Sequence, residues 1–518
     1  MSHHPDADVL IVGSGLMGAA VARRLRDEQP ELRILMVDGG PVIGSLPGQH
    51  LHDVPEPHIW QRYNQRVASG IQGFYTGTAP TSDVGSTLVG VEPGMYHLSS
   101  IGQQAREMPA AAVAWNVGGM GVHWTAATPT PWGEEVPQFL AGEQWHADLA
   151  SATEMLRVTE EPFPPAGPGQ ATLEVLHRIF DEVSAPGRTA RHMPMAVQFD
   201  EHGVRRRTGP NTIFAPIGDR RLDPHFTLLP GTQAVRLLHD GGEVRGVEVR
   251  EVATGAHQEL RATVTMVCAD AIRTPQLLFA SQIRPTALGR YLNEHAFLTG
   301  RVLTDLDRLG FGLDDLAPMA DDEFMSEHLW VPHSGAEQPF HLQIGNQVHI
   351  DEDRRPLAYS VGLGFYVPTE IQADNRLEFS EEEADAAGMP RISVRFSYSG
   401  NDLRLIQRAR EMQQVTAEAL GPFDPETESA LLPAGSSLHF TGTVRMGQVD
   451  DGESVCDPDG RVWGFDNLYV AGNGVLPTAL ACNSTLTGMV TAVRAARAVS
   501  HQLGTGSPRD GSGAVLTG

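Results

Sequence analysis

The chain contains no lysine: all 38 of its basic residues are arginine. That absence excludes chemistry that needs an ammonium group, including the lysine of a Walker phosphate loop, a pyridoxal Schiff base and a lysine general base. Cysteine is almost as scarce. Cys268, Cys456 and Cys482 make an odd count without C-x-x-C spacing, so neither a disulfide framework nor a zinc site is indicated and a reducing, cytoplasmic setting is expected. Positive charge is in deficit, with 38 basic against 64 acidic residues, and the net charge of -26 repels nucleic acid and anionic lipid. No apolar run approaches the roughly 18 residues of a membrane span, and the polar leader before "DVLIVGSG" lacks a signal-peptide pattern. What remains in 518 residues is ordinary globular material, enough for two or three domains with large cores. No solenoid-type repeat is present.

The first strong pattern is "DVLIVGSGLMGAAVARRL". An apolar run, Val9 to Val12, reads as a strand buried on both faces and is followed by Gly13-x-Gly15-x-x-Gly18. The first glycine permits a tight turn, the second lets backbone approach a pyrophosphate, and the third packs helix on strand, with phosphate on the helix N-terminus. A second apolar run, "RILMVD", ends in Asp38, where this fold places a carboxylate for ribose hydroxyls. The alternative is a solvated Asp that starts the turn "DGG". FAD or NAD is the expected cofactor.

Residues 41–110 are rich in Gly, Pro, Ser and His, a loop region long enough to suggest an active-site lid. Further on, "NVGGMGVHWTAATP" sets three glycines around a histidine and a tryptophan, which packs poorly as a helix or strand interior and calls for a large neighbour. Strand patterning returns at 226–300, with a hairpin around Gly241-Gly242 and then a strand, small-residue turn and helix in "ATVTMVCADAIRTPQLLFAS". Beyond 300, "FHLQIGNQVHI", "YSVGLGFYV" and "RISVRFSYS" alternate apolar with polar or small residues, predicting three strands of one antiparallel sheet with a polar face. A helix over "NDLRLIQRAREMQQVTAEAL" is expected to cover it through Leu403, Ile406, Met412, Val415 and Leu420.

After residue 434 the chain is expected to return to the cofactor. "NLYVAGNGVLPTALACNSTLTGMV" holds a buried-type strand, a Gly-Asn-Gly turn, and Asn483-Ser484-Thr485 opening an apolar helix. A positive helix end beside a dinucleotide suits an anionic reduced flavin better than a nicotinamide, which gains no negative charge on reduction. By composition alone, His439 is one of 21 histidines and Asn483 a helix cap.

Taken together, Gly13-x-Gly15-x-x-Gly18, "GGMGVHWTAATP", "NRLEFS...DAAGMP", "LHFTGTVRMG" and "LPTALACNSTLT" resemble the glucose-methanol-choline (GMC) oxidoreductase superfamily, in its pyranose oxidase and bacterial glycoside 3-oxidase branch. The resemblance covers most of the chain. It implies an α/β fold, with a Rossmann-like FAD-binding domain over 1–140, 226–300 and 434–503. A substrate domain over 141–225 and 301–433 would be built on the antiparallel sheet covered by helices, and 504–518 would be a flexible tail. His439 and Asn483 match the family's catalytic pair. Gly118, Gly119, Met120, Thr125, Val235, Gly472, Asn473 and Thr485 join Gly13, Gly15, Gly18 and Asp38 as implied flavin contacts. His123 matches the histidine through which fungal pyranose oxidases attach FAD covalently. Gly121-Val122 replaces the usual Ser-Thr before it, so covalent attachment and simple packing on the ring edge both stay open.

Gln343 matches a substrate-contacting glutamine, but Gly345-Asn346-Gln347 departs from the fungal His-x-Asp pattern. The implied activity is oxidation of a secondary sugar hydroxyl, C3 of glycosides including C-glycosides being favoured over C2 of free glucose. Oxygen, giving hydrogen peroxide, or a quinone would be the acceptor, and a carbohydrate or glycoside the substrate. No metal is implied. A sterol or other alcohol oxidase of the same superfamily is the alternative, disfavoured by the Gln- and His-bearing strand faces.

Overall fold

The computed structural model describes residues 6–59, 61, 83–163, 167–316, 327–353 and 355–505. The expected lid therefore lies partly, and the expected tail almost wholly, outside the described residues.

The apolar run after Asp6 forms the strand Ala7–Val12, every residue of it buried. It is the middle of a five-stranded parallel sheet in the order Leu468–Val470, Ala262–Val267, Ala7–Val12, Ile34–Val37, Phe226–Leu229. Burial on both faces explains the apolar runs Val9–Val12 and Ile34–Val37, whereas the strands Phe226–Leu229 and Ala262–Val267 each expose a threonine. The helix Leu16–Glu28 leaves the first strand through the glycine turn, and two steric facts require glycine there. Gly13 has φ +101°, and a Cβ on Gly18 would sit 2.1 Å from the Gly13 carbonyl oxygen. The C-terminal helix Ser484–Thr505 packs against Leu16–Glu28. Thr232–Asp240 and Glu243–Glu251 form the expected hairpin, with Gly241 and Gly242 both at positive φ as a two-residue turn of this hand requires.

The second sheet has six antiparallel strands in the order Ser429–Leu431, Ala296–Leu303, Pro356–Val367, His341–Ile350, His328–Val331, Arg191–His192. One face buries Leu298, Leu342, Ile344, Leu363 and Phe365 against the helices Gly167–Phe180 and Gly400–Leu420. The other face carries His341 and turns Phe297, Gln343 and Tyr366 to a cavity between the sheets.

Three expectations need correction. "RISVRF" does not continue this sheet: Pro390–Arg395 pairs with Arg376–Ala384 in a separate two-stranded ribbon. Alternation reports which face is buried but not which strand is the partner, and here the Asp385 carboxylate, accepting from Ala387 and Met389 N–H groups, closes a local hairpin. Residues 296–300, placed with the dinucleotide domain, belong to the six-stranded sheet. Residues 141–225 divide their packing. Trp145, Leu156 and Met195 join the core of the dinucleotide sheet, whereas Leu173, Leu176 and Phe180 join the core of the antiparallel one.

The covering helix also turns a different face to the sheet than its apolar residues suggest. Leu403 and Val415 are 56% and 52% exposed, while Asp402, Ile406, Ala409, Gln413, Thr416 and Leu420 are buried. Gln413 earns its buried place by hydrogen bonding: its amide donates to the Leu363 carbonyl (3.0 Å) and accepts from the Ser429 hydroxyl (2.6 Å). Gln413→Leu is expected to destabilise the protein by about 1–3 kcal/mol, because buried polar partners lose their mate. Leu403→Ser should stay within about 0.5 kcal/mol. Urea unfolding of both variants checks the pair, and the reverse order would contradict this packing.

Candidate active site

Strand ends and helix starts converge on a cavity of about 430 Å³ that runs from the glycine turn to the polar face of the antiparallel sheet. All the candidate residues line it except Gly18, Gly118 and Val235. Gly18 supports the turn from behind. Gly118, at φ +90°, donates its N–H to the Ser14 hydroxyl (2.8 Å), bringing the "NVGGMG" segment onto the first glycine turn. Val235 is the extra residue of a β-bulge between Ala234 and Arg236, and its neighbours Gln233 and Ala234 reach the cavity in its place. The large neighbour that the glycine-rich segment calls for is thus this cavity and the opposing turn. A Cβ on Gly119 would lie 3.6 Å from the Gly15 Cα, so side chains here would close the gap.

Asp38 is tied down by the protein itself. One carboxyl oxygen accepts from the Ser14 N–H (3.1 Å) and hydroxyl (2.5 Å), the other from the Gly40 N–H (2.8 Å). With about four acceptor positions on a carboxylate, one remains for an external hydroxyl. Burial raises the Asp38 pKa while these hydrogen bonds oppose the rise.

His123 points one ring nitrogen at Asn116: Nε2 lies 2.8 Å from Oδ1. The orientation of the Asn116 amide is settled by its own donors, since Nδ2 donates to the carbonyls of Val117 (3.0 Å) and Gly119 (3.2 Å). His123 Nε2 therefore carries hydrogen and donates it, and its lone pair is not available for bonding.

At the far end, Asn483 Nδ2 lies 3.0 Å from His439 Nε2, and Asn483 Oδ1 accepts from Gln343 Nε2 at 2.6 Å. The three residues come from a loop, a helix start and the antiparallel sheet, so no local sequence motif could show the contact. Leu438, just before the histidine, has φ +59°, a strained value for a non-glycine residue that costs about 1–3 kcal/mol and persists only where surroundings enforce it. Burial and the nearby His295 push the His439 pKa well below its usual 6.5, so the imidazole is neutral at pH 7. A neutral imidazole beside an amide can accept one proton and orient one hydroxyl.

Sequence reasoning missed three neighbours, His295, Glu294 and Glu135, and placed a fourth, His341, on the polar strand face without a role. His295 places Nδ1 3.1 Å from His439 Nδ1. Glu294, buried, accepts from the Ser437 hydroxyl and the His295 N–H, and burial lifts its pKa to about 8. His341, in the sheet, accepts from the Trp330 indole N–H (2.8 Å). Glu135 accepts from the N–H groups of Ala481 (2.7 Å) and Cys482 (2.8 Å), immediately before Asn483. "NEHAF" and "GEEVP" carry no periodic or spacing signal, which is why Glu294, His295 and Glu135 did not stand out.

A parallel dinucleotide sheet whose cavity ends at an imidazole–amide pair defines a dinucleotide-dependent oxidoreductase. A family model described as GMC oxidoreductase matches residues 372–492. A C-glycoside 3-oxidase of Microbacterium trichothecenolyticum is 37% identical over 520 residues, covering 96% of this chain and 97% of the relative. A pyranose 2-oxidase of Tricholoma matsutake is 27% identical, covering 96% of this chain and 94% of the relative. Among solved structures, a formate oxidase variant of Aspergillus oryzae superposes with a TM-score of 0.65 at 16% identity over 96% of this chain and 98% of its own. The chain belongs to the GMC oxidoreductase family. Among its described residues, no helix is long and apolar enough to cross a membrane.

Removing Glu135 tests how the Asn483 loop is held. Glu135→Ala leaves three N–H groups without an acceptor, the buried ones of Ala481 and Cys482 and the partly buried one of Trp132. At about 1–3 kcal/mol for each unsatisfied group, a loss of about 3 kcal/mol or more is expected in urea unfolding. A change below about 1 kcal/mol would show that the loop is held by other contacts.

Proposed function

We propose that the protein is an FAD-dependent sugar oxidoreductase that oxidises a secondary hydroxyl, the C3 hydroxyl of a glycoside including C-glycosides, to a ketone. The observation that carries this reading is the His439–Asn483–Gln343 contact at the end of a dinucleotide cavity, in a chain whose similar relatives include C-glycoside 3-oxidases. Oxidation at C2 of a free sugar is the second reading, favoured by the 27% identity to a pyranose 2-oxidase.

The residues present fit FAD. Gly15 and Gly119 leave the backbone approach open for a pyrophosphate, and the helix Leu16–Glu28 turns its N-terminus to that gap. Asp38 keeps one acceptor position for a ribose hydroxyl. Thr485, in the first turn of the 22-residue helix Ser484–Thr505, brings a positive helix end to the cavity wall. Bound there, the flavin supplies the acceptor for the hydride leaving the substrate carbon.

The chain's own residues handle the proton and the orientation. His439 Nε2 takes the hydroxyl proton, and the Asn483 amide holds the hydroxyl in line. Gln343 and the other polar-face residues hydrogen-bond the neighbouring sugar hydroxyls. Phe297 and Tyr366, stacked at 4.3 Å between centroids, form an apolar wall beside them. The Asn116 hydrogen bond to His123 Nε2 leaves the ring's lone pair on Nδ1 and so supports FAD held without a covalent bond through Nε2. The relatives' names, as oxidases, favour oxygen as electron acceptor, with peroxide as product.

Anaerobic addition of a C-glycoside, a methyl glucoside and glucose to the yellow protein tests the reading. Bleaching by the glycosides faster than by glucose is expected, and a flavin that no sugar reduces would remove the assignment. His439→Ala should slow reduction by about 10²-fold or more. Because the folded His439 pKa is depressed, its base form persists as pH falls through 6.5, so the acid limb of the wild-type reduction rate is expected below that value. A limb above 6.5 would contradict the depressed pKa. Acid precipitation should leave a colourless pellet and a yellow supernatant, whereas a yellow pellet would establish a covalent link.

A further inference from the structure

Six hydrogen-bond contacts connect one indole N–H to one backbone carbonyl across the end of the cavity. In order they are Trp330 Nε1 to His341 Nδ1 (2.8 Å), His341 Nε2 to the Gln343 amide (3.1 Å), and Gln343 to Asn483 (2.6 Å). Asn483 to His439 Nε2 (3.0 Å), His439 Nδ1 to His295 Nδ1 (3.1 Å), and His295 Nε2 to the Leu480 carbonyl (2.8 Å) complete the series. The two ends have fixed roles, because an indole N–H only donates and a carbonyl only accepts.

From the Leu480 end the roles are forced. His295 Nε2 must carry hydrogen, so the neutral ring offers a bare Nδ1. His439 then keeps its hydrogen on Nδ1, donates it to His295, and presents a bare Nε2 to Asn483 and the cavity. From the Trp330 end they are forced the other way. His341 Nδ1 accepts, so its hydrogen is on Nε2 and requires an oxygen of Gln343, while Asn483 Oδ1 requires the nitrogen of the same amide. With every histidine neutral, the series cannot satisfy both ends. One added proton on the His295–His439 pair resolves the conflict. Asn483 then turns Oδ1 to a protonated His439 Nε2 and Nδ2 to Gln343 Oε1, which also accepts from His341.

We propose that His295 is a positioning residue that sets the Nδ1–H tautomer of His439, and that the series from Trp330 to Leu480 is completed when the pair takes up the substrate's hydroxyl proton. This rests on the sugar-oxidation reading for its source of protons. In that step the substrate O–H bond breaks and an N–H bond forms at His439 Nε2, while the C–H electron pair leaves with its hydrogen to the oxidant. The titratable groups facing the pair are Glu294, linked to it through Ser437, together with His341 and Tyr366 from the antiparallel sheet.

Nitrogen-15 spectra of the histidine-labelled holoprotein test the tautomer without any substrate. The signal lost in His439→Ala is expected to show hydrogen on Nδ1 and none on Nε2, and the opposite tautomer would overturn the proposal. After anaerobic reduction by a sugar, the His439 signals should move to imidazolium positions while His295 keeps a neutral ring with hydrogen on Nε2, and unchanged His439 signals in a bleached sample would remove the proton uptake. Variants add a kinetic check. His295→Gln keeps an acceptor for His439 and a donor for Leu480, so reduction at saturating sugar should stay within about tenfold of wild type. His295→Leu keeps neither, and its limiting rate should fall by about 10²-fold with little change in the sugar's apparent dissociation constant. Equal rates for the two variants, both retaining flavin, would overturn the positioning role. If no sugar bleaches the wild-type protein, the sugar reading and the proton uptake fail together, while the tautomer is still decided by the resting spectrum.

Discussion

The chemistry at the end of the cavity hangs on one buried carboxyl group. Glu135 accepts from Ala481 and Cys482 through one oxygen and from the Trp132 N–H through the other, and its backbone carbonyl accepts from the Thr478 hydroxyl. Three of those bonds hold the loop before the helix Ser484–Thr505, and the fourth, from Trp132, holds the carboxyl group that makes them. The loop contributes two things that cannot be placed independently, the Asn483 amide that faces the cavity and the Leu480 carbonyl that anchors His295. A shift in the loop would therefore move the amide and release the second imidazole together. Backbone N–H groups buried without an acceptor are costly, so the loop has no cheap alternative conformation.

Around that anchor, the two sheets do different work. The parallel sheet needs nothing on its faces but close packing, and it gives the cavity the backbone turn at Gly13 and the Asp38 carboxylate at the end of Ile34–Val37, while the positive-φ glycines 118 and 119 come from the segment after the strand Ala112–Trp115, which pairs with Gly94–His97. The antiparallel sheet contributes side chains, and strand parity decides which. Because His341 and Gln343 sit two residues apart, they share one sheet face, where Gln343 lines the cavity and His341 is buried behind it, while Leu342 and Ile344 enter the core. Gly364 lies opposite Gln343 in the ladder, and a Cβ there would be 3.2 Å from the Gln343 carbonyl oxygen. The small residue keeps the amide's strand flat against its neighbour while the ring of Tyr366, two residues on, closes the other side.

The parallel sheet was legible because its signals are local: an apolar run, a glycine turn, and a carboxylate at the end of the second strand all fall within the first 38 residues. The polar face of the antiparallel sheet was legible for the same reason, since alternation needs no partner to be seen. Partnering was not. Nothing in "RISVRF" distinguishes a strand of the large sheet from one of a local ribbon, and the deciding contact is made by Asp385 to its own turn. In the helix Gly400–Leu420 hydrophobicity pointed at Leu403 and Val415 and away from Gln413, whose burial is set by a hydroxyl and a carbonyl more than ten residues distant in sequence. His439 and Asn483 were found through resemblance, and their geometry had to come from the fold. His295, Glu294 and Glu135 act through contacts of 144, 143 and up to 347 residues' separation, which no sequence window can span.

The protonation pattern of the site follows from what surrounds it. The chain has no lysine, and the groups in hydrogen-bond reach of His439 are an amide, a second histidine and a carboxyl group. Burial drives the imidazoles toward neutrality, His295 to about 4, and lifts Glu294 to about 8, so the groups around His439 carry no charge at rest, and the buried Arg188 guanidinium stands at the far end of the series, over the Trp330 ring. A neutral site binds a neutral sugar without desolvating an ion. It also leaves the base in the form that can accept a proton, and it makes the charged form one that persists only while the pair and its amides share the proton. A single buried histidine with the same depressed pKa would hold that proton poorly. The second imidazole, anchored on a carbonyl that Glu135 indirectly fixes, gives the transferred proton a hydrogen-bonded place within the protein until the site is reset.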